Sequence, residues 1–491
     1  MAKHTSIKNK KVKKSKRKKK QKKQVNQVIK AINEINANEP DNDLSNYVVS
    51  TFYVFNRPDW DQLARNANSL FNRATYILRQ NYFHHEKPLS YSALDAIFKN
   101  AYKNHENKLY HGIGYVQSAQ QSLKVVIKNF KSFRKATEKY YENPKKFSGK
   151  PRIPHCHKPG SRTTFYLTNQ NGKIVNNHLI SSKFNLNLKL DDDYKGFKFI
   201  RAAFVPITNG FKVLVTYEVA GYHFQKDNGI YVSIDPGVDN SFACVTNYHQ
   251  HPILINGNAA KATNYYYHKR TAQLQAQQAQ YHQLEHRGIN KKGKPYVYYD
   301  QTKRMQRLDF KHNRRIDHYV YNAINRIVDY VISCNAKVVF IGKNKGWKNK
   351  SNMGKKNNQN FLGIPHAVII DKLKAKLAYY GVRLIAVEES YTSQTSFLDS
   401  EKPCRKNGNK ARKKNGLHPY KRRITRSLFR ANNGTLINSD VNGALQIAKK
   451  GYSKWVKYAK KHHIYAFHCL SFEDRIKELV LAPHKVNCTT Y

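Results

Sequence analysis

Residues 229–238, GIYVSIDPGV, form an apolar, β-branched run that ends at an acid, Asp235, before Pro236 and Gly237. Such a run followed by a Pro-Gly turn signal predicts a buried β-strand. Two shorter candidate strands, SFACVTNY (241–248) and HPILING (251–257), come next and predict a meander in the same sheet. The stretch therefore predicts a sheet whose first strand presents a carboxylate at its carboxyl end.

Downstream, the chain alternates between strand-like and helix-like segments. These are the strand AKVVFIG (336–342), the helix HAVIIDKLKAKLAYYG (366–381) closed by Gly381, the strand VRLIAVEE (382–389) and the helix SDVNGALQIAKKGY (439–452). Three strands followed by parallel strands and helices is the order of an RNase H-like α/β domain, here residues 228–460. A helical insertion (264–335), interrupted by the loop RGINKKGKP (287–295), is expected within it.

The preceding part of the chain has a different pattern. A strand, VVSTFYVF (48–55), precedes a region with helical periodicity (59–147), and alternating runs, KFNLNLKL (183–190) and FKVLVTYEVA (211–220), follow it. We expect a small antiparallel barrel or sheet split between residues 46–58 and 148–227, with a helical domain inserted between its parts. The fold class is therefore α/β with additional α and β parts.

Charge limits the classes of partner. Lys and Arg number 88 against 32 Asp and Glu, a formal net charge of +56, while 40% hydrophobic residues allow a sizeable core. Nucleic acid is the expected partner and an anionic membrane surface the second choice. Neither an apolar run of about 18 residues nor a secretory signal is present, so no membrane span is expected. Residues 1–45 predict a disordered basic arm that attracts phosphates, with a nuclear-localisation signal or a tag as alternatives.

Acids stand at several predicted element ends in this basic chain: Asp235, Glu388 and Glu389 after strands, and Asp440 at a helix start. Carboxylates gathered at the carboxyl edge of parallel strands are suited to holding two Mg²⁺ ions about 4 Å apart for phosphodiester hydrolysis. Each acid also has a structural explanation, because Asp235 fits a turn and Asp440 fits an N-cap. Their common placement favours the metal site.

Five segments carry a resemblance to a known family. IDPGVDNSFACVTN (234–247) resembles the first motif of RuvC-like nuclease domains, ESYTSQTSFLD (389–399) the segment after the middle strand pair, and INSDVNGALQI (437–447) the third motif. With GKPRIPHCHKPG (149–160) and FYLTNQ (165–170), the chain resembles the transposon-encoded TnpB (OrfB) family, RNA-guided DNA endonucleases similar to type V CRISPR effectors. The resemblance covers residues 47–450. It implies a split wedge β-barrel (46–58 and 148–227), a helical recognition domain (59–147), a RuvC domain (228–460) and a C-terminal segment (461–491).

Two departures from the family pattern matter. Many relatives carry the middle catalytic glutamate after the strand that here ends at Gly342, so we expect Glu389, with Glu388 as the alternative, to take its role. Catalysis and metal binding would then belong to Asp235, Glu389 and Asp440, with Mg²⁺ or Mn²⁺. Relatives also often carry a zinc ribbon. Because the six cysteines include no CxxC pair, no structural zinc is expected here.

The resemblance implies cleavage of target DNA guided by RNA, with guide RNA and a double-stranded target bearing a short adjacent duplex motif as partners. The alternative is a TnpB-derived repressor that has lost cleavage, which the missing glutamate at Gly342 keeps open. A guide-free junction nuclease is disfavoured by the helical insertion. The expected location is the prokaryotic cytoplasm, associated with the nucleoid.

Overall fold

The computed structural model describes residues 47–192, 196–219, 223–289, 293, 295–343, 363–403, 423–425, 427–464, 466 and 483–489. The predicted basic arm (1–45), nearly all of the basic loop 404–423 and most of the C-terminal segment lie outside these residues. The described residues form two compact units. The N-terminal unit takes its residues from Asn46–Gly221 and Ala276–Lys311, and the C-terminal unit from Tyr222–Gln275 and His312–Tyr491.

Helices of 13 to 31 residues carry much of the described chain. In order they are α1 (Pro58–Phe83), α2 (Tyr91–Lys103), α3 (Val116–Glu142), α4 (Asn258–Gln280), α5 (Lys303–Ser333), α6 (His366–Tyr379) and α7 (Ser439–Lys461). None of the helices within the described ranges is both long and apolar enough to cross a membrane.

The strands follow the expected succession of short elements. In chain order they are β1 (Tyr47–Phe55), β2 (Phe165–Thr168), β3 (Lys173–Val175), β4 (His178–Ser181), β5 (Leu186–Lys189), β6 (Lys198–Ile207), β7 (Gly210–Glu218), β8 (Tyr231–Pro236), β9 (Asn240–Thr246), β10 (Ile253–Asn256), β11 (Glu285–Ile289), β12 (Pro295–Tyr299), β13 (Val338–Gly342), β14 (Arg383–Val387), β15 (Arg423–Thr425), β16 (Leu428–Arg430), β17 (Leu436–Asn438) and β18 (His484–Val486).

In the N-terminal unit, β1 joins a sheet formed by strands from beyond the helices. The order is β1-β7-β6-β2, all antiparallel, and β3-β4-β5 form a second small sheet. The expected succession of a strand, a helical segment and further strands is therefore present, while a closed barrel stays a prediction. The core is aromatic: the Trp60 and Phe204 rings lie 4.8 Å apart, and the Trp60 indole donates a 2.7 Å hydrogen bond to the Phe184 carbonyl. Burial of large aromatic surfaces of this kind stabilises the packing of helix against sheet.

In the C-terminal unit, a six-stranded sheet has the order β14-β13-β8-β9-β10-β18. β8, β9 and β10 form the antiparallel meander, and β13 and β14 run parallel to β8. All five residues of β13 are buried, as expected of a central parallel strand covered on both faces. Gly381 closes α6 with φ of +71°, in the left-handed region that favours glycine. The predicted mixed α/β class is confirmed, and the RuvC assignment stays a prediction.

The segment expected to be a helical insertion is not wholly helical. α4 and α5 are helices, but β11 and β12 form an antiparallel hairpin where only a loop, RGINKKGKP, was expected. This segment is also divided between the two units: Ala276–Lys311 belongs to the N-terminal unit, and the residues on either side belong to the C-terminal unit. β-branched and aromatic side chains in PYVYY explain the strand, since they favour a pleated surface over a helix.

Candidate active site

Asp235 lies near the end of β8, at the edge of the sheet where the parallel strands finish. Ile234 of β8 is paired in register with Ile341 of β13, and Gly342 of β13 with Val387 of β14. Because parallel strands end at the same edge, this register brings Asp235, Gly342 and the residues after Val387 together. The sheet therefore gathers two of the predicted site positions.

Glu389 occupies the space above Gly342. A β-carbon added to Gly342 would lie 2.5 Å from Glu389 Cγ and 2.7 Å from Cδ, much closer than atoms can approach. The absence of a side chain at position 342 thus lets the Glu389 side chain lie across the middle strand, β13. β14 and β8 are two strand spacings apart, about 9.6 Å, so a glutamate from β14 needs this open path to approach Asp235.

Asp440 is held at the start of α7. The Asn438 side chain accepts hydrogen bonds from the backbone N–H groups of Asp440 (2.9 Å) and Val441 (3.2 Å), which caps the helix. Asn240, at the start of β9, donates a 2.8 Å hydrogen bond from its side-chain amide to Asp440 Oδ2. Asp440 is therefore held at two points: Asn438 binds its backbone N–H group and Asn240 binds its carboxylate.

The same helix contacts Asp235. A β-carbon added to Gly443, three residues after Asp440, would lie 3.3 Å from Asp235 Cγ. The Asp235 carboxyl group thus packs against the α7 backbone at a residue that has no side chain. This close approach brings Asp235 and Asp440, the first and third of the predicted acids, near each other.

The pKa values of two acids reflect this crowding. Burial, and then the negative charges of Glu389 and Asp440, raise the pKa of Asp235 well above its usual range, while the charge of Arg423 opposes the rise. Burial, followed by the charge of Glu388, raises the pKa of Glu389 to about 8, and Lys450 opposes this. Carboxylates that resist ionisation because of burial and like charge are typical of functional sites.

Glu388 faces away from this group. It is exposed and forms an ion pair of 3.3 Å with Lys450, and it accepts a hydrogen bond from the Ser390 hydroxyl. The geometry thus distinguishes the two adjacent glutamates: Glu389 lies against Gly342 near Asp235, and Glu388 pairs at the surface.

Further residues, which the sequence did not single out, hold the segment after β14 on α7. The Lys450 ammonium donates hydrogen bonds to the carbonyls of Glu388 (3.0 Å) and Ser390 (2.7 Å). Asn442 donates to the Thr395 carbonyl (2.8 Å) and accepts from the Phe397 N–H (2.9 Å). Asn442 lies within the motif INSDVNGALQI and Asn240 within IDPGVDNSFACVTN, although neither was singled out, and nothing in the sequence pointed to Lys450. Their roles arise only from tertiary contacts.

The donor chemistry of this site suits a hard divalent cation. Three carboxylates would supply oxygen ligands, and burial, followed by the negative charges of Glu389 and Asp440, raises the Asp235 pKa at a place where a bound cation would offset it. In the described part of the chain, however, no three His, Cys, Asp or Glu side chains are grouped tightly enough to hold a metal ion. The acids are neighbours, but they do not form a finished coordination shell. Cys404 lies outside the described residues.

Comparisons with known proteins match this part of the chain. The OrfB (IS605) family model, described as a probable transposase, matches residues 213–348, and a model described as Cas12f1-like, TNB domain, matches residues 366–447. A TnpB-like protein, ORF457 of Acidianus two-tailed virus, is 24% identical over 436 residues, covering 82% of this chain and 85% of the relative. Together these matches support a TnpB-family protein related to Cas12.

Two solved complexes also match the chain, both with TM-scores below 0.5. A Cas12f1–sgRNA–target DNA complex matches with a TM-score of 0.45 and 16% identity, covering 80% of this chain and 82% of that one. CasPhi-2 (Cas12j) bound to crRNA matches with a TM-score of 0.41 and 11% identity, covering 82% and 97%. The family model boundaries contain all the predicted acids, since Asp235 lies in the first match and Glu389 and Asp440 lie in the second.

Proposed function

We propose that the protein is an RNA-guided DNA endonuclease of the transposon-associated kind, cleaving target DNA at a RuvC site formed by Asp235, Glu389 and Asp440. Family membership supports RNA-guided nuclease function in general. The observation that carries the finer proposal is the position of Glu389, whose carboxyl group lies over Gly342. A glutamate placed there from the neighbouring strand supplies the carboxylate that Gly342 itself lacks.

In this proposal the three carboxylates would hold Mg²⁺ or Mn²⁺. Bound divalent ions supply an activated water and charge stabilisation for in-line phosphodiester hydrolysis. The residues of this chain have separate tasks. Asn240 orients Asp440, Lys450 holds the turn that carries Glu389, and Gly443 lets Asp235 approach the helix.

The N-terminal unit, as a split wedge domain with a helical insertion, would bind guide RNA and target DNA through its basic surface. The net charge of +56 on the whole chain is consistent with this role.

A cleavage-deficient, RNA-guided repressor is the second candidate. It is kept by one observation, that no compact three-ligand group is found among the described residues. Both candidates would bind RNA and target DNA, but only the endonuclease would cleave the DNA. A cleavage assay therefore distinguishes them.

The test begins with the RNA that co-purifies with the protein, which identifies the guide. A duplex DNA matching that guide, with randomised flanking sequence, is then incubated with the complex and Mg²⁺. We expect the unmodified protein to cut, while Asp235→Ala and Asp440→Ala bind RNA and target normally but cut at least 10³-fold more slowly, as the loss of a metal ligand implies. Cutting at a normal rate by either variant would refute the site. Binding without cutting by the unmodified protein would establish the repressor.

A further inference from the structure

The hairpin of β11 and β12 presents an aromatic surface that the proposed cleavage site does not use. Tyr296 and Tyr298 are 45% and 46% exposed, and as alternate residues of β12 they share one face. Their rings are stacked at 5.7 Å between centroids and 25° between planes. The His286 ring, directly opposite Tyr298 in the ladder, stacks on it at 5.0 Å and 19°. We call His286, Tyr296 and Tyr298 the aromatic ladder.

A glycine makes room for this ladder. Gly288 is paired with Tyr296, and a β-carbon added to Gly288 would lie 2.9 Å from Tyr296 Cζ and 3.0 Å from its hydroxyl oxygen. The Tyr296 ring therefore leans across the neighbouring strand in the space that any larger residue would fill. Aromatic rings also stabilise glycine-containing strands in this way, so a test must separate binding from folding.

Positive charge lies beside the ladder. His286 contacts Asp300 at 3.1 Å, and the same carboxylate is 3.8 Å from the Lys158 ammonium, whose side chain is 83% exposed. Lys158 belongs to the basic segment GKPRIPHCHKPG, which α1 holds through hydrogen bonds such as that from Asn68 to the Lys158 carbonyl.

The opposite face of the hairpin is different. There the Glu285 carboxylate accepts hydrogen bonds from Arg287 (2.7 Å) and the Tyr299 hydroxyl (3.3 Å) and contacts His282 (2.5 Å). The charges of this face are thus paired with one another. Val297, 50% exposed, lies on it and offers an aliphatic position of exposure similar to that of the tyrosines.

We propose that the aromatic ladder is a stacking surface for unpaired nucleotides of single-stranded nucleic acid. Flat, exposed rings stack on bases of any sequence, and neighbouring cations hold the phosphates. A protein partner is less favoured, because the exposed Lys158 lies near the ladder and the chain as a whole is strongly basic. The inference does not depend on cleavage, because a protein that binds without cutting would use the same surface.

The test places a local fluorescent reporter on each face of the hairpin. Tyr296→Trp and its control Val297→Trp are titrated separately with a single-stranded RNA, a single-stranded DNA and a duplex of the same sequence. After the emission of the three native tryptophans, measured on the unmodified protein, is subtracted, we expect single strands to quench Tyr296→Trp strongly and Val297→Trp weakly, because base stacking quenches indole directly. Stronger quenching by RNA would assign the surface to a guide strand, and stronger quenching by DNA to an unpaired target strand. Equal quenching on both faces, or quenching by the duplex alone, would overturn the proposal.

A second measurement removes the rings. The double variant Tyr296→Leu with Tyr298→Leu should bind single strands about tenfold more weakly, because base–aromatic stacking is lost, yet with an unchanged salt dependence, because no charge is removed. Tyr296→Phe should bind normally. Circular dichroism and melting temperature must match the unmodified protein. An affinity unchanged in the folded double variant would refute the stacking surface.

Discussion

At the scale of single residues, two adjacent glutamates make different contacts. Glu389 lies over Gly342, whereas Glu388 pairs with Lys450 at the surface. We therefore expect Glu389→Gln to lower single-turnover DNA cleavage by about 10³-fold or more, because it removes the charge of a metal ligand while keeping its shape. Glu388→Gln, the matched control, should cost less than about fivefold, as expected for an exposed ion pair. Equal losses in both variants would contradict the assignment.

Gly342→Ala tests the same arrangement without touching a charge. The added methyl group would meet the Glu389 side chain, which must then move away from Asp235. We expect cleavage to fall by about 10²-fold, since a displacement of about 1 Å at a reacting site has effects of this size. RNA binding should be unchanged. Normal cleavage by Gly342→Ala would show that Glu389 acts from another position.

The raised pKa of Glu389 has a consequence for stability in the absence of metal. Its pKa is about 8 in the folded protein and near its ordinary 4.5 when unfolded, so the folded state binds the proton more tightly. This contribution to stability is complete below about pH 4.5 and is lost as the pH rises towards 8. In the presence of a chelator, Glu389→Gln should therefore raise the melting temperature more at pH 8 than at pH 5. A uniform shift at both pH values would argue against the raised pKa.

At the scale of elements, α7 packs unusually close to the sheet. A β-carbon added to Gly451 would lie 2.5 Å from Phe340 Cδ1, and Phe340 is a fully buried residue of β13. We expect Gly451→Ala to destabilise the protein by about 1–3 kcal/mol, because overpacking outweighs the gain in helix propensity. Gly149→Ala, where nothing lies within 4 Å, is the control and should be nearly neutral. Denaturant unfolding measures both, and a stabilised Gly451→Ala would contradict the close packing.

The sequence predicted most of the elements that form the candidate site. Apolar runs ending in acids located β8 and β14, and the motif INSDVNGALQI located the start of α7, because these are local patterns. The hairpin of β11 and β12 was missed, although PYVYY after a Lys- and Gly-containing turn is a strand signal. The pairing of Asn240 with Asp440 could not be predicted, since the two residues meet only through the packing of α7 on the sheet.

At the scale of the whole molecule, the Lys-rich residues 1–24 add charge at one end of a chain that is already strongly basic. Their deletion should weaken binding to all nucleic acids similarly and flatten the salt dependence, because lysines release counterions from phosphates without contacting bases. Filter binding at several salt concentrations, with matched and unrelated sequences, measures this. A loss confined to one sequence would show instead that the segment recognises bases.

The contact between Gly342 and Glu389 also limits how such a site can change during evolution. A glutamate at position 342 would collide with the one at 389, so the two placements of the carboxylate exclude each other. If the glutamate moves from position 342 to position 389 in single steps, an intermediate sequence must carry either both glutamates, which collide, or neither of them. The double replacement Gly342→Glu with Glu389→Ala should therefore preserve more cleavage than either change alone. Such sign epistasis would make positions 342 and 389 covary.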